Sequence, residues 1–250
     1  MDIHLYLQRS GFPVPQIILT KGKQTYAKSS DGLLHVLYEF IDGGEPGEID
    51  VENIGELIGE LHSKMEHYGV PLAKRDKHFF IDRYVNILND KKHLLADEYR
   101  RYGEMLWNKV KDLPRGYCHG DLYRGNILKA KDGRLYVLDL DTSCHAFPMY
   151  DITLFCNETN YFRYSDDGFD RSREWLKRFV HGYRKRRLLS DDEVNAFYYL
   201  QAIYHYQLQA TIVEIYGIDC NGPDFEAEQL GWIISWLERA KASGCIGGWQ

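Results

Sequence analysis

Cys118-His119-Gly120-Asp121-Leu122-Tyr123-Arg124-Gly125-Asn126-Ile127-Leu128, followed after a turn by Val137-Leu138-Asp139-Leu140-Asp141, is the most informative stretch of this chain. It offers a carboxylate at Asp121, a carboxamide at Asn126 and a second carboxylate at Asp139, beyond the Lys131-Asp132-Gly133 turn. Phosphoryl transfer calls for that set: one carboxylate accepts the proton of an attacking hydroxyl, while an amide oxygen and a second carboxylate hold Mg²⁺ on a triphosphate. Aspartate and asparagine are also ordinary turn residues. The spacing to Asp139 and the apolar strand beside it argue for chemistry over a plain turn.

Working outward, the segments around this stretch alternate in a way that predicts an α+β arrangement. Leu5 and Leu7 suit the end of a helix stopped by Ser10-Gly11 and by Pro13-Val14-Pro15. Two strand-like runs, 16–26 and 33–41, flank Ser29-Ser30-Asp31-Gly32 and predict a hairpin. Gly43-Gly44-Glu45-Pro46-Gly47 reads as a hinge or linker. Beyond it, Asp50 stands where it can cap a helix carrying Val51, Ile54, Leu57, Ile58, Leu61 and Met65. Further helices are expected over Phe79–Leu88 and from Leu94 to Val110. Ser190-Asp191-Asp192-Glu193 is a capping box expected to open one long helix through Ile215, closed by Gly217, and Asp224 starts the last helix. Tyr198, Tyr204 and Ile215 read as core. Asp151 reads as a helix N-cap before the apolar run Ile152-Thr153-Leu154-Phe155.

His119-Gly120-Asp121-x-x-x-x-Asn126 resembles the H-R-D-x-x-x-x-N catalytic loop of the protein-kinase superfamily. Glycine in the second position is the form seen in aminoglycoside phosphotransferases and their choline-kinase and homoserine-kinase relatives. Asp139-Leu140-Asp141 resembles their counterpart of D-F-G. Gly11-Phe12-Pro13-Val14-Pro15, Tyr38-Glu39-Phe40-Ile41-Asp42-Gly43, Leu61-His62 and Pro148-Met149-Tyr150-Asp151 follow in the family's order, covering the chain to about residue 155. The resemblance implies a protein-kinase-like fold, with a truncated, small β-rich N-lobe over 1–43 and a large, mainly helical C-lobe over 44–250. It implies Asp121 as catalytic base and Asn126 and Asp139 as magnesium ligands. The backbone of Glu39 and Ile41 would meet the adenine of ATP with Tyr38 behind it, and His119 would brace the loop. The family's Gly-rich loop and strand lysine have no counterpart, because Lys21, Lys23 and Lys28 come after the first helix. The start of the N-lobe is therefore expected to be missing, with Met1 inside or just after that helix. Two function classes stay open: an ATP- and Mg²⁺-dependent phosphotransferase acting on a small-molecule hydroxyl, and a non-catalytic nucleotide- or ligand-binding pseudokinase module.

Composition narrows the partners. A net charge of −6 leaves no basic footprint for nucleic acid or an anionic membrane. No apolar run approaches the roughly 20 residues of a membrane helix. With no secretory signal at its start and five cysteines lacking framework spacing, the chain is expected to be cytoplasmic and reduced. Cys118-His119 and Cys144-His145 lack the spacing of a zinc site. Arg184-Lys185-Arg186-Arg187 reads as a solvated helix end. A hairpin stripped of neighbouring strands exposes an edge, so residues 1–43 are expected to be mobile or to pair with a second copy as a homodimer. Glu158, Asp166 and Asp167 beside Tyr161, Phe162 and Tyr164 read either as a pocket for an amine-bearing alcohol or as a solvated loop packed on the next helix.

Overall fold

In the computed structural model, which describes residues 2–247, the first leucines lie on a helix, α1 (Asp2–Arg9), that buries His4 and Leu7. Gly11, at φ +71°, turns the chain out of it as the sequence predicts. Met1 lies outside the described residues. The hairpin forms next: Ile17 bridges Tyr38, and β1 (Ala27–Lys28) pairs antiparallel with β2 (Leu34–His35). Its regular pairing is shorter than the two strand-like runs, because Thr20–Gln24 closes a turn of its own. Leu33, Leu34, Leu37 and Phe40 are exposed on it.

Gly43-Gly44, which reads as a free hinge, is instead a short strand, β3 (Gly43–Gly44). It is bonded to β5 (Ile127–Ala130), which pairs in turn with β6 (Leu135–Val137). A Cβ at position 43 would stand 2.3 Å from the Lys129 carbonyl oxygen, so only glycine fits this rung. Asp50 directly precedes α2 (Val51–Met65), but its carboxylate does not cap that helix. It accepts from the Gly47 N–H at 3.0 Å and from Lys129 Nζ at 2.7 Å, tying the helix start to the same small sheet.

The body is built on α2 and α6 (Asp166–Tyr183), which meet backbone to backbone. A Cβ on Gly55 would lie 2.1 Å from the Phe179 oxygen, and one on Gly182 would lie 1.8 Å from the Glu52 oxygen. Gly182→Ala must push the helices apart, and overpacking of this kind costs about 1–3 kcal/mol. Gly231, whose added Cβ would meet nothing within 4 Å, supplies the control. There the same substitution should stabilise by about 0.5–1 kcal/mol, so urea midpoints of the two variants should move in opposite directions. Directly after α6, the basic run is solvated as expected, with Arg184, Lys185 and Arg186 exposed, and it also pairs across to α2. Lys185 pairs with Glu52, Arg186 with Glu56 and Arg187 with Glu66, because α2 presents its acidic face there.

A single π-helical turn (His78–Asp82) leads into α3 (Arg83–Asp90), and α4 (Ala96–Val110) ends before Pro114. β4 (Gly116–Cys118) pairs with β7 (Cys144–Ala146), and α5 (Pro148–Phe155) follows. The Ser190–Glu193 capping box is present, yet it opens only the five-residue α7 (Asp191–Asn195). The chain re-enters helix as α8 (Phe197–Tyr216), ended by Gly217 at φ +86°, and α9 (Phe225–Ala242) closes the body. Tyr198 is core as expected, whereas Ile215, at the helix end, is 64% exposed. The tyrosine-rich composition has its place here: Tyr84, Tyr99 and Tyr206 meet edge to face with no exposed surface. Tyr99 and Tyr206 donate their hydroxyls to backbone carbonyls, those of Glu226 and Tyr99.

Candidate active site

The loop after β4 is held from below by one carboxylate. Asp151 has no exposed surface; its Oδ2 accepts from the His119 N–H at 2.6 Å and its Oδ1 from the Gly120 N–H at 2.9 Å. His62 Nε2 lies 3.0 Å from the same Oδ2, and its Nδ1 lies 2.8 Å from the Tyr183 hydroxyl. The expectation of an N-cap at Asp151 is therefore wrong. Phe147 occupies that position with Pro148 in the first turn, so Asp151 is the fourth residue of α5 and points back at the loop. His119 braces the loop as expected: Nε2 donates to the Leu138 carbonyl at 2.8 Å, and Nδ1 accepts from the Asp121 N–H at 3.4 Å. Gly120 sits at φ +85°, where a Cβ would come 2.4 Å from the Thr142 oxygen. Glycine is thus demanded twice at the position where protein kinases carry arginine. Arg75, which sequence patterns did not single out, donates to the Gly120 and Thr142 carbonyls at 3.0 and 3.2 Å.

The predicted residues fall in two connected places. Asn126 Nδ2 donates to the Asp121 carbonyl at 2.7 Å and to its carboxylate at 3.3 Å, leaving the amide oxygen without a protein donor among the described residues. The Leu138 N–H donates to the Asn126 carbonyl at 2.9 Å, so Asp139 follows directly on the rung that starts at Asn126. Asp139 adopts φ +50°, a left-handed conformation that costs a non-glycine residue of order 1 kcal/mol. Its Oδ1 accepts from the Asp141 N–H at 3.4 Å. Strain of this sort is tolerated where a side chain must be aimed. Tyr38, Glu39, Ile41, Asp139 and Asp141 line one cleft of about 490 Å³, together with His4, Leu128 and Leu138. Along its edge the Glu39 N–H is taken by the Gln16 carbonyl. The Glu39 carbonyl and the Ile41 N–H have no protein partner among the described residues, which leaves one acceptor and one donor on this edge. Burial and the charges of Asp141 and Asp139 push the Tyr38 phenol up, and burial lowers the His4 imidazole.

The sequence model of the phosphotransferase enzyme family matches residues 1–194. The chain belongs to this family. Homoserine kinase of Zymomonas mobilis is 25% identical over 208 residues, covering 77% of this chain and 61% of that protein. The chain thus spans about three fifths of the length of that relative. Among solved structures, an amicoumacin kinase in complex with AMP-PNP and Ca²⁺ superposes with a TM-score of 0.71 at 17% identity, over 95% of this chain and 76% of its own. A microcompartment-associated aminopropanol kinase gives 0.66 at 16% identity, over 100% and 82%. At such identities these two likenesses speak for the fold, which is the protein-kinase-like α+β fold expected from the catalytic-loop pattern.

In this phosphotransferase-family chain the acidic–aromatic stretch after α5 follows the packed-loop reading. Asp166 accepts from the Tyr164 hydroxyl and pairs with Arg239, and Asp167 pairs with Arg171. Tyr164 lies edge-on to Trp232, and Tyr161 is turned inward to stack on His205. Phe162 alone of the three aromatics stays 64% exposed. Glu158 differs from the other acids: burial raises its carboxyl against the opposing charges of Arg124 and Arg171. Tyr204, expected in the core, is only half-buried, and its phenol is raised first by burial and then by the charge of Asp121. It packs against the edge of the core.

Proposed function

We propose that the protein is an ATP- and Mg²⁺-dependent phosphotransferase that delivers the terminal phosphoryl group of ATP to a hydroxyl of a small molecule. The observation that carries this reading is the hydrogen-bonded Asp121–Asn126 pair joined through the Leu138 rung to Asp139 in the wall of the cleft. Asp121 acts as the base that takes the acceptor's proton. Asn126, through its free amide oxygen, and Asp139 hold the magnesium ion; a carboxylate and an amide oxygen are the hard donors that ion prefers. Bound there, the metal would offset the charge of the phosphates. Glu39 and Ile41 receive the adenine edge with their backbone, against Tyr38.

For the acceptor, an amine-bearing alcohol fits best, in keeping with the homoserine and aminopropanol kinases that the chain resembles. Glu158, unlike Asp166 and Asp167, makes no ion pair among the described residues and is the acid we assign to its amine. All five cysteines are free, which suits work in a reducing compartment such as the cytoplasm. Incubation with labelled ATP, Mg²⁺ and a panel of amino alcohols, aminoglycosides, sugars and hydroxy acids should give transfer to an amine-bearing member. Asp139→Ala should abolish that transfer, and EDTA should weaken ATP binding to the unaltered protein but not to the variant. Nucleotide binding indifferent to EDTA would remove Asn126 and Asp139 from the metal site.

One observation favours a second reading. None of the described residues lining the cleft is lysine or arginine, so these walls offer no ammonium or guanidinium to a phosphate. Thermal stabilisation by ATP without hydrolysis or transfer to any acceptor would assign the chain to nucleotide binding alone.

A further inference from the structure

A second cavity, of about 540 Å³, opens between the end of α2, the chain that follows it, β4 and the start of α5. It shares no lining residue with the nucleotide-side cleft. Its inner surface is apolar, formed by Met65, Leu72, Tyr117 and Pro148, of which Met65 and Tyr117 are almost fully buried. Its charged residues are Lys74, Arg115 and Arg187 against a single carboxylate, Glu66. Three cations and one anion leave a local excess of +2 on a chain whose net charge is −6.

The partners of these groups show which of them are free. Arg187 spends its Nε on Glu66 at 2.8 Å and an Nη on the Tyr183 hydroxyl at 3.2 Å. His62, in the wall, has both ring nitrogens engaged by Tyr183 and Asp151. Arg115 uses one nitrogen on the Arg75 carbonyl at 3.1 Å and stacks over the Phe147 ring at 4.3 Å, which fixes the guanidinium and leaves further N–H groups unspent. Neither Lys74 Nζ nor the His145 ring makes a hydrogen bond or ion pair among the described residues. An immobilised guanidinium and an unpaired ammonium beside an apolar wall form a receptor for an anion that has a hydrocarbon body.

We propose that this cavity binds a small amphipathic anion, a carboxylate or a phosphate ester, whose charge is held by Lys74 and Arg115 while its apolar part lies on Met65, Leu72 and Tyr117. The assignment does not depend on phosphotransfer. Met65 makes it directly observable. In protein labelled at the methionine methyl carbons, 4-phenylbutyrate, phenyl phosphate and 4-phenylbutylamine are titrated in turn, with the Met105 signal as reference. At least one of the two anions should shift the Met65 signal saturably, with Met105 unmoved, and the amine should not shift it. Response to the carboxylate alone, or to the phosphate ester alone, identifies which head group the site takes. Lys74→Glu, at an exposed position, should weaken the effective anion about tenfold or more while the ligand-free Met65 signal keeps its position. Should that signal move in the free variant, Lys74→Gln replaces it in the comparison. An equal Met65 shift from the amine, silence of both anions at millimolar concentration, or undiminished affinity in both Lys74 variants would overturn the proposal.

Discussion

Replacing Asp121 by asparagine is expected to lower phosphotransfer by about 10²–10⁴-fold, the usual worth of a positioned general base, with ATP affinity almost unchanged. The side chain is exposed and does not line the cleft that holds Glu39, Ile41 and Asp139. Among the described residues its carboxylate receives one hydrogen bond, from Asn126 Nδ2 at 3.3 Å, and an asparagine oxygen can accept the same bond. The substitution therefore removes proton acceptance and little else. Steady-state turnover with the preferred acceptor, set beside a calorimetric ATP titration, separates the two effects. A large loss of nucleotide affinity would place Asp121 on the nucleotide instead of the acceptor.

The second large effect concerns folding. Asp151→Ala should destabilise the protein by about 3–5 kcal/mol, as expected when one partner of a buried charged network is removed. Three donors lose their acceptor at once: the His119 and Gly120 N–H groups and His62 Nε2. Asparagine does not rescue the site. Oδ1 and Oδ2 each face a donor, so the new NH₂ group must oppose an N–H whichever way the amide is turned. Urea unfolding of both variants measures the loss. A change below about 1 kcal/mol, the scale of an exposed ion pair, would show that water replaces the carboxylate beneath the loop.

How much of this was legible beforehand depended on how far apart the interacting residues stand. Asp121, Asn126 and Asp139 are close in sequence and joined by one hairpin, so a spacing rule was enough to bring them together. Asp151 was visible as a residue of interest, but its acceptor role was not. The apolar run after it suggested a helix start, while Pro148 had already begun that helix, and the N–H groups it serves lie 31 and 32 residues upstream. Nothing in the sequence marks Gly55 or Gly182. Their purpose exists only once α2 and α6 lie against each other, a pairing that no local pattern encodes. The ion-pair partners of the solvated basic run at 184–187 are hidden for the same reason, since Glu52, Glu56 and Glu66 are more than 115 residues away. Arg75 sits in irregular chain and had no periodicity to mark it.

The glycine contacts between α2 and α6 also anchor one end of the cleft wall. Mechanically, the strip of chain from Glu39 to Gly44 is a beam supported at both ends. At one end Gly43-Gly44 are stitched to β5 and the chain then enters a helix locked backbone-to-backbone onto its neighbour. At the other the Glu39 N–H is taken by the Gln16 carbonyl, and the Pro13 carbonyl just upstream accepts from the Val137 N–H on β6. Both supports therefore rest on the β5–β6 pair, which runs from Asn126 to Asp139 and is closed by the Leu138 rung. The wall that carries Glu39 and Ile41 and the two groups assigned to the metal share one footing, so a load on the hairpin tip is borne by the same small sheet that spaces Asn126 and Asp139.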